Sequence, residues 1–199
     1  NLKDHDPTLY LRDEIRSNFS WGSDKLAICP GQVHEGKGQR WLIEQFLASK
    51  ELYEHWRLLI VGPMRAEEKE KLAQILQKDT QKRVELLGRR EDLPALLAAS
   101  DLAIFPGKFR ESFGMAALEA ASMGLPLLLT AAGALAYNFE AYPGMVSVEG
   151  RPKIIELWES LDEKGLKALA SALPKERIEQ LVSTQRWERD LRQILSSKG

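Results

Sequence analysis

With 199 residues, 44% of them hydrophobic and 29% charged, the sequence has the composition of a folded chain long enough for one well-buried core. A formal net charge of -1, with basic residues scattered and no aromatic-interleaved basic stripe, argues against nucleic acid or an anionic membrane surface as the general partner. A single cysteine, Cys29, excludes an internal disulfide, and no apolar stretch approaches the length of a membrane span.

The chain opens on a polar stretch, 1–8, without an initiating Met or a secretory signal, which suggests a processed or excised piece. A helical pattern covers 7–19. Short apolar runs then follow at 26–29, 58–61, 84–87, 102–105, 127–129 and 145–148, and these predict strands. Helical patterns lie between them at 38–50, 66–78, 93–100, 113–123 and 134–141. Past Gly150 the pattern is helical to the end, punctuated by Gly165 and Pro174. The strands read as continuously apolar rather than alternating, as in a parallel sheet covered on both faces. Strict alternation of strand and helix predicts a Rossmann-like, doubly wound α/β fold with right-handed crossovers. Cys29, inside the first apolar run, reads as small core filler in a reducing compartment.

A sheet of order 3-2-1-4-5-6 places its first and fourth strands side by side at the point where the winding reverses, and ligands bind in the crevice there. The loops after those two strands are the chemically unusual ones, CPGQVHEGKG at 29–38 and PGKFRESFGM at 106–115. In the first, Gly31, Gly36 and Gly38 let backbone N–H groups approach an oxyanion at a helix start, and Lys37 can pair with a phosphate. A glycine-rich surface turn with a solvated lysine is the plainer alternative. The spacing falls short of a Walker A loop, because Gly38 stands where Ser or Thr would hold Mg²⁺.

The second loop leads into 113–123, apolar nearly all round and therefore expected to be buried, with Glu119 its only charge. A buried carboxylate needs a partner, either a core-facing arginine or ligand hydroxyls such as a ribose diol. Gly114 sits at the helix start, where free N–H groups can face a phosphate. Glu111 lies just outside on the loop, as a crevice ligand or a solvated charge.

Taken in order, Gly31-x5-Lys37-Gly38, LIVG at 59–62, LLGRREDLPALLAASDLAIFP at 86–106 and ESFGMAALEAASMGLPLL at 111–128 resemble the carboxyl-terminal, donor-binding domain of GT-B-fold glycosyltransferases, closest to family 4. Glu111 and Glu119 match that family's E-x7-E motif, and the likeness runs well from about Lys25 to Gly133. The resemblance implies that Lys37 contacts a donor diphosphate and that Glu111 holds hydroxyls of the donor sugar. It also implies that the backbone of Phe113, Gly114 and Met115 lies against the phosphates, that Glu119 takes the ribose, and that Gly88 to Arg90 lie near the base. Gly31 and Gln32 belong to the same phosphate loop. Gln32, however, stands where the family usually has a phosphate-binding arginine; Lys108 or Arg110 could make up that charge, and an inactive or altered-donor member is the other outcome. Gly107 for a common Ser and Ser112 for a frequent Gly are harmless departures.

The remaining tempting residues weigh less. Asp4-His5-Asp6 mimics a metal motif, but no strand precedes it. His5, His34 and His55 are scattered and form no zinc set, and His34 reads as polar loop filler. Trp187, Leu191 and Ile194 form a helical stripe that resemblance directs toward an amino-terminal domain, or that packs on the chain's own sheet.

The expectation is therefore a leading segment and helix at 1–24, a donor-binding domain at 25–150, and helices at 151–199 that reach toward an amino-terminal domain outside this sequence. The function implied is the nucleotide-sugar-binding half of a retaining hexosyltransferase in polysaccharide or glycoconjugate biosynthesis, with Lys37 and Glu111 as its catalytic residues. It needs no metal and no cofactor beyond the nucleoside diphosphate sugar donor; its acceptor is a sugar or a lipid-linked sugar. The protein is expected in the cytoplasm, meeting the inner face of a membrane through the other domain. Another GT-B activity, such as a sugar-nucleotide epimerase, and a non-catalytic nucleotide-binding or scaffold domain are the alternatives.

Overall fold

Lys25–Pro30 (β1) has no exposed residue, and its neighbours in sequence point to opposite sides. Leu26 and Ile28 enter one core cluster, while Ala27 and Cys29 enter another. That alternation is why the strand reads as unbroken apolar sequence: each face of the pleat has its own core to fill. The computed structural model describes residues 10–108, 114–131, 134–140, 144–147 and 150–171. Within them β1 is joined by Trp56–Val61 (β2), Val84–Gly88 (β3), Leu102–Phe105 (β4), Leu127–Ala131 (β5) and Met145–Ser147 (β6). All pairings are parallel, in the order β3-β2-β1-β4-β5-β6. The predicted doubly wound sheet is the one observed.

The helices divide by face. Gln39–Ala48 (α2), Lys50–His55 (α3) and Ala66–Leu76 (α4) follow β1 and β2 and cover one side. Leu93–Ala99 (α5), Met115–Ser122 (α6) and Ala134–Asn138 (α7) follow β3, β4 and β5 and cover the other. Arg12–Asn18 (α1) packs on α5, and Arg151–Glu159 (α8) and Glu163–Ser171 (α9) return to the first side. Winding reverses at β1, so the switch point lies between β1 and β4. Trp158 of α8 is fully buried between Phe46 of α2 and Trp56 of β2, with ring centroids 5.5 Å from each.

Some local expectations change. The helix expected at 38–50 extends further in two pieces, because Ser49 ends α2 and caps α3 by accepting from the Leu52 N–H at 3.2 Å. The opening helix is shorter, Arg12–Asn18. Gly165 does not punctuate: it lies inside α9, where its N–H donates to Asp162 Oδ1 at 2.7 Å. Pro174, the Asp4-His5-Asp6 run and the Trp187 stripe lie outside the described residues. Among the described residues no helix is long and apolar enough to cross a membrane.

The amino edge of the sheet is held by charge. Asp101, just before β4, accepts from the Leu26 N–H at 2.7 Å and from Arg12 at 2.6 Å. Arg16 is buried and donates to the carbonyls of Ala99 and Gly22 at 3.0 and 3.1 Å, so α1 is fastened to the strand ends. Asp24 accepts from Arg57 Nε at 2.7 Å and Arg83 Nη1 at 2.6 Å. Burial alone would raise the Asp24 carboxyl, but the two guanidiniums outweigh it and hold the group below the usual carboxylate range. The folded chain thus binds this proton less readily than the unfolded chain. The resulting stability is present at neutral pH and is lost as pH falls below about 4. Replacing Asp24 with Ala should cost about 1–3 kcal/mol in urea unfolding at pH 7, since two partly buried cations lose their acceptor. The gap between variant and wild type should narrow as pH falls through that range, and a constant gap would show that the carboxylate charge is not the cause.

Candidate functional site

Past the carboxyl end of β1 the backbone turns at Gly31, whose N–H donates to the Val61 carbonyl at 2.8 Å. The Gly31 carbonyl lies where a Cβ at position 62 would sit, so the loops after β1 and β2 touch main chain to main chain. Gly62 N–H in turn donates to the Gly88 carbonyl at 2.7 Å, tying in the end of β3.

Beyond Gly31 the loop tightens into a short 3₁₀ turn, Glu35–Lys37, that the sequence pattern did not predict. His34 caps it, its Nδ1 accepting from the Gly36 N–H at 3.1 Å. That is a defined structural part rather than polar filler. Lys37 closes the turn, half-buried, with its N–H on the His34 carbonyl at 3.0 Å. Its ammonium is near enough to act on Cys29. Burial nonetheless pushes the Cys29 thiol up to about 12, against the lowering effect of that lysine.

Gly38 follows with φ +81° and is the cap of α2; a side chain here would strike the Arg151 guanidinium and the Pro106 carbonyl. Gln39 opens α2, buried, and donates through Nε2 to the Gln32 carbonyl at 3.1 Å. The Gln32 side chain is exposed.

The loop after β4 is laced onto the first. Lys108 N–H donates to the Gly36 carbonyl at 2.8 Å, and Thr130 of β5 donates through Oγ1 to the Gly107 carbonyl at 2.5 Å. Arg151, the first residue of α8, donates to the Pro106 carbonyl from Nε at 2.7 Å and from Nη2. Four elements thus fix the backbone of 29–38 and 106–108 at the switch point. The Lys108 side chain is exposed.

Gly114, buried with φ +78°, caps α6. The helix differs from expectation: Met115 is 41% exposed, and Ala116, Glu119 and Ser122 are half-buried. Positions 115, 119 and 122 recur at helical spacing and leave one face of α6 open, so Glu119 needs no core counter-ion. Its carboxylate enters no ion pair among the described residues. Met115 sits at the amino end of that open face. Gly88 ends β3, while the Arg90 guanidinium is engaged by Asp92 at 2.8 and 2.7 Å and lies 5.6 Å over the Phe19 ring. Glu111, Phe113, Arg110 and Ser112 lie outside the described residues.

The structure therefore brings Gly31, Gln32 and Lys37 together with the loop after β4, and sets the starts of α2 and α6 at the same end of the sheet. Gln32 and His34, with Arg65, Glu67 and Glu68, border a cavity of about 310 Å³ on this edge. A larger one, about 530 Å³, opens at the opposite end beside Arg12 and Asp101, far from these loops. Sequence reasoning missed Arg151, Thr130 and Gln39, which shape the crevice from other elements.

A crevice at the switch point, walled by a glycine-rich lysine loop and two helix starts, is where open α/β sheets of this class hold their ligands. The family model for glycosyl transferases group 1 matches residues 24–152, and the chain belongs to that family. Its fold is that of the carboxyl-terminal, Rossmann-like domain of GT-B glycosyltransferases. HepE of Anabaena, solved with UDP and glucose, superposes with a TM-score of 0.78 at 20% identity, over 96% of this chain and 55% of HepE. The C-terminal domain of LpcC, a glycosyl transferase group 1 family protein of Francisella tularensis, gives a TM-score of 0.63 at 20% identity, over 87% of this chain and 92% of that domain. A D-inositol 3-phosphate glycosyltransferase of Salinispora arenicola is 37% identical over 81 residues, 39% of this chain and 18% of that protein. The chain thus spans about half the length of HepE and a smaller share of the curated relative.

Gly38→Ala tests how tightly the two loops are locked. The left-handed backbone and the collision with Arg151 and Pro106 should together cost about 2–4 kcal/mol in chemical unfolding. A cost below about 1 kcal/mol would mean that the loops separate easily.

Proposed function

We propose that this chain is the nucleotide-sugar-binding half of a retaining, metal-independent glycosyltransferase that moves a hexosyl unit from a nucleoside diphosphate sugar. The observation that carries the reading is the lacing of the Lys37 loop to the loop after β4, with the starts of α2 and α6 beside it. Such a site offers a lysine and oriented N–H groups to a diphosphate, and stabilises the negative charge that grows there as the sugar leaves. Family membership and the UDP bound by HepE support a donor of this class. Lys37 and the backbone of Gly31, Gln32, Phe113, Gly114 and Met115 serve the diphosphate, Glu119 the ribose, and Glu111 the sugar. Gly88 lies toward the base. Arg90, committed to Asp92 and Phe19, would have to turn to join it.

Residues 25–150 form the donor-binding unit in this reading, and 151–199 lead back toward an amino-terminal domain that carries the acceptor site. Closure of the two domains excludes water from the activated sugar. The exposed amide of Gln32, which adds no charge to the loop, favours a second reading as a non-catalytic nucleotide-binding domain. Transfer by the two-domain protein separates the two.

Calorimetry on the 199-residue chain should detect a nucleoside diphosphate, with UDP, GDP and ADP as the panel, while sugar transfer by this chain alone is absent. Affinity should hold within a few-fold in EDTA. A tenfold loss, about 1.4 kcal/mol, would return a metal to the site.

The two glutamates should divide the ligand between them. Glu119→Gln is expected to weaken both the nucleoside diphosphate and the sugar nucleotide by about 1–3 kcal/mol, because both carry the ribose. Glu111→Gln should weaken the sugar nucleotide alone. Equal losses for both ligands in both variants would contradict the division, and no loss in either would place the ligand elsewhere.

A further inference from the structure

Arg151 shapes the crevice but takes no ligand role in the donor reading above, and it is the most unusual charge in the described residues. It is 7% exposed. Other partly or wholly buried arginines have carboxylates: Arg16 has Asp101, and Arg57 and Arg83 share Asp24. Among the described residues Arg151 has none. Two of its N–H groups go to one neutral acceptor, the Pro106 carbonyl, and its guanidinium lies 5.1 Å from the centre of the Trp41 ring. Burial lowers its pKa, but an arginine this far from neutrality keeps its proton. A buried charge without a counter-ion is costly, and a carbonyl and a ring face offset only part of that cost.

Its position supplies a reason. The guanidinium rests against Gly38, the cap of α2, and against the residue that follows β4, between the two crevice loops. Trp158, two turns along α8, anchors that helix in the core and so delivers Arg151 to this place. The neighbouring Gln39 is also incompletely satisfied, its buried Oε1 having no partner among the described residues. Gly38 lacks a side chain where one would displace the guanidinium.

We infer that Arg151, besides fastening the loop after β4, holds a permanent positive charge behind Gly38 that serves the diphosphate crevice, with the bound diphosphate as its counter-ion. The inference rests on the donor reading above and adds to it a charge delivered from α8, outside both glycine-rich loops. In the donor reading Lys37 and the helix start of α2 serve the same anion, and Arg151 adds a charge where Gln32 adds none.

The test compares two substitutions in the 199-residue chain, with inorganic pyrophosphate and the tightest of UDP, GDP and ADP as probes, and a thermal melt of each variant. Arg151→Gln keeps an amide donor for the Pro106 carbonyl and removes the charge. Arg151→Lys keeps the charge and gives up the two-pronged clamp. Arg151→Gln should fold and lose at least tenfold in affinity for both probes, while Arg151→Lys stays within threefold of wild type. A smaller loss in Arg151→Gln, or a tenfold loss in Arg151→Lys, overturns the inference. Should Arg151→Gln fail to fold, Arg151→Lys decides by the same limits, and if neither folds the residue is a structural latch and the inference fails. A wild-type chain that binds neither probe takes down the donor reading and this inference together. A binding wild type with an indifferent Arg151→Gln takes down the inference alone.

Discussion

The crevice exists because β1 is flanked by β2 on one side and β4 on the other, with every strand parallel. Parallel strands must be joined by crossovers, and right-handed crossovers wound outward from one strand put the two sets of helices on opposite faces. Between β1 and β4 no crossover passes over the carboxyl ends, so the two loops there part and leave room. All else at the site follows from that gap. The loops that edge it are joined at one point by a backbone bond from Lys108 to Gly36, and the strands beneath are packed on both sides with little polar interior.

Both ends of the sheet use polar groups, in different ways. At the amino end Asp24 and Asp101 gather arginines and strand N–H groups, so charges there are mutually satisfied and serve stability. At the carboxyl end the main-chain carbonyls of Gly36, Pro106 and Gly107 are bound, while cations outnumber carboxylates on the described crevice loops. Under the donor reading proposed above, occupied carbonyl acceptors of this kind suit a multiply charged anion. The open face of α6, with Met115 and Glu119, adds one carboxylate for the hydroxyls of such a ligand.

Much of this was legible before the structure. Unbroken apolar runs such as 26–29 and 102–105 gave the strands, because a doubly covered parallel strand has no solvent face to mark with polar residues. The two unusual loops announced the switch point. What the sequence hid was long-range. Nothing near Arg151 marks it as a neighbour of Gly38, 113 positions away in number though adjacent in space, and Thr130 likewise reaches Gly107 across the sheet. The apolar look of 113–123 suggested full burial because alanines at a partly open face are indistinguishable from alanines in a core. Ser49, a helix breaker and a cap at once, split one expected helix into two. The resemblance to GT-B glycosyltransferases is borne out by membership of the glycosyl transferases group 1 family, which does not extend to the family-4 assignment; the roles it assigns to Glu111 and Phe113 fall on residues outside the described ones.

The lone thiol has a practical corollary. Cys29 is the only cysteine of the sequence; it is fully enclosed beneath the lysine loop, with its ionisation pushed to about 12. A thiol that stays protonated and out of reach is a poor nucleophile toward maleimides or iodoacetamides at neutral pH. The folded chain is thus close to a cysteine-free background for labelling. A cysteine introduced at an exposed position, such as Tyr137 on α7, would carry a fluorophore or spin label with little competing signal, and a distance from α7 to the crevice could be followed as ligand arrives. Conversely, rapid labelling of the unaltered chain would report the opening of β1 from its core, so the same buried sulfur doubles as an internal clock for unfolding.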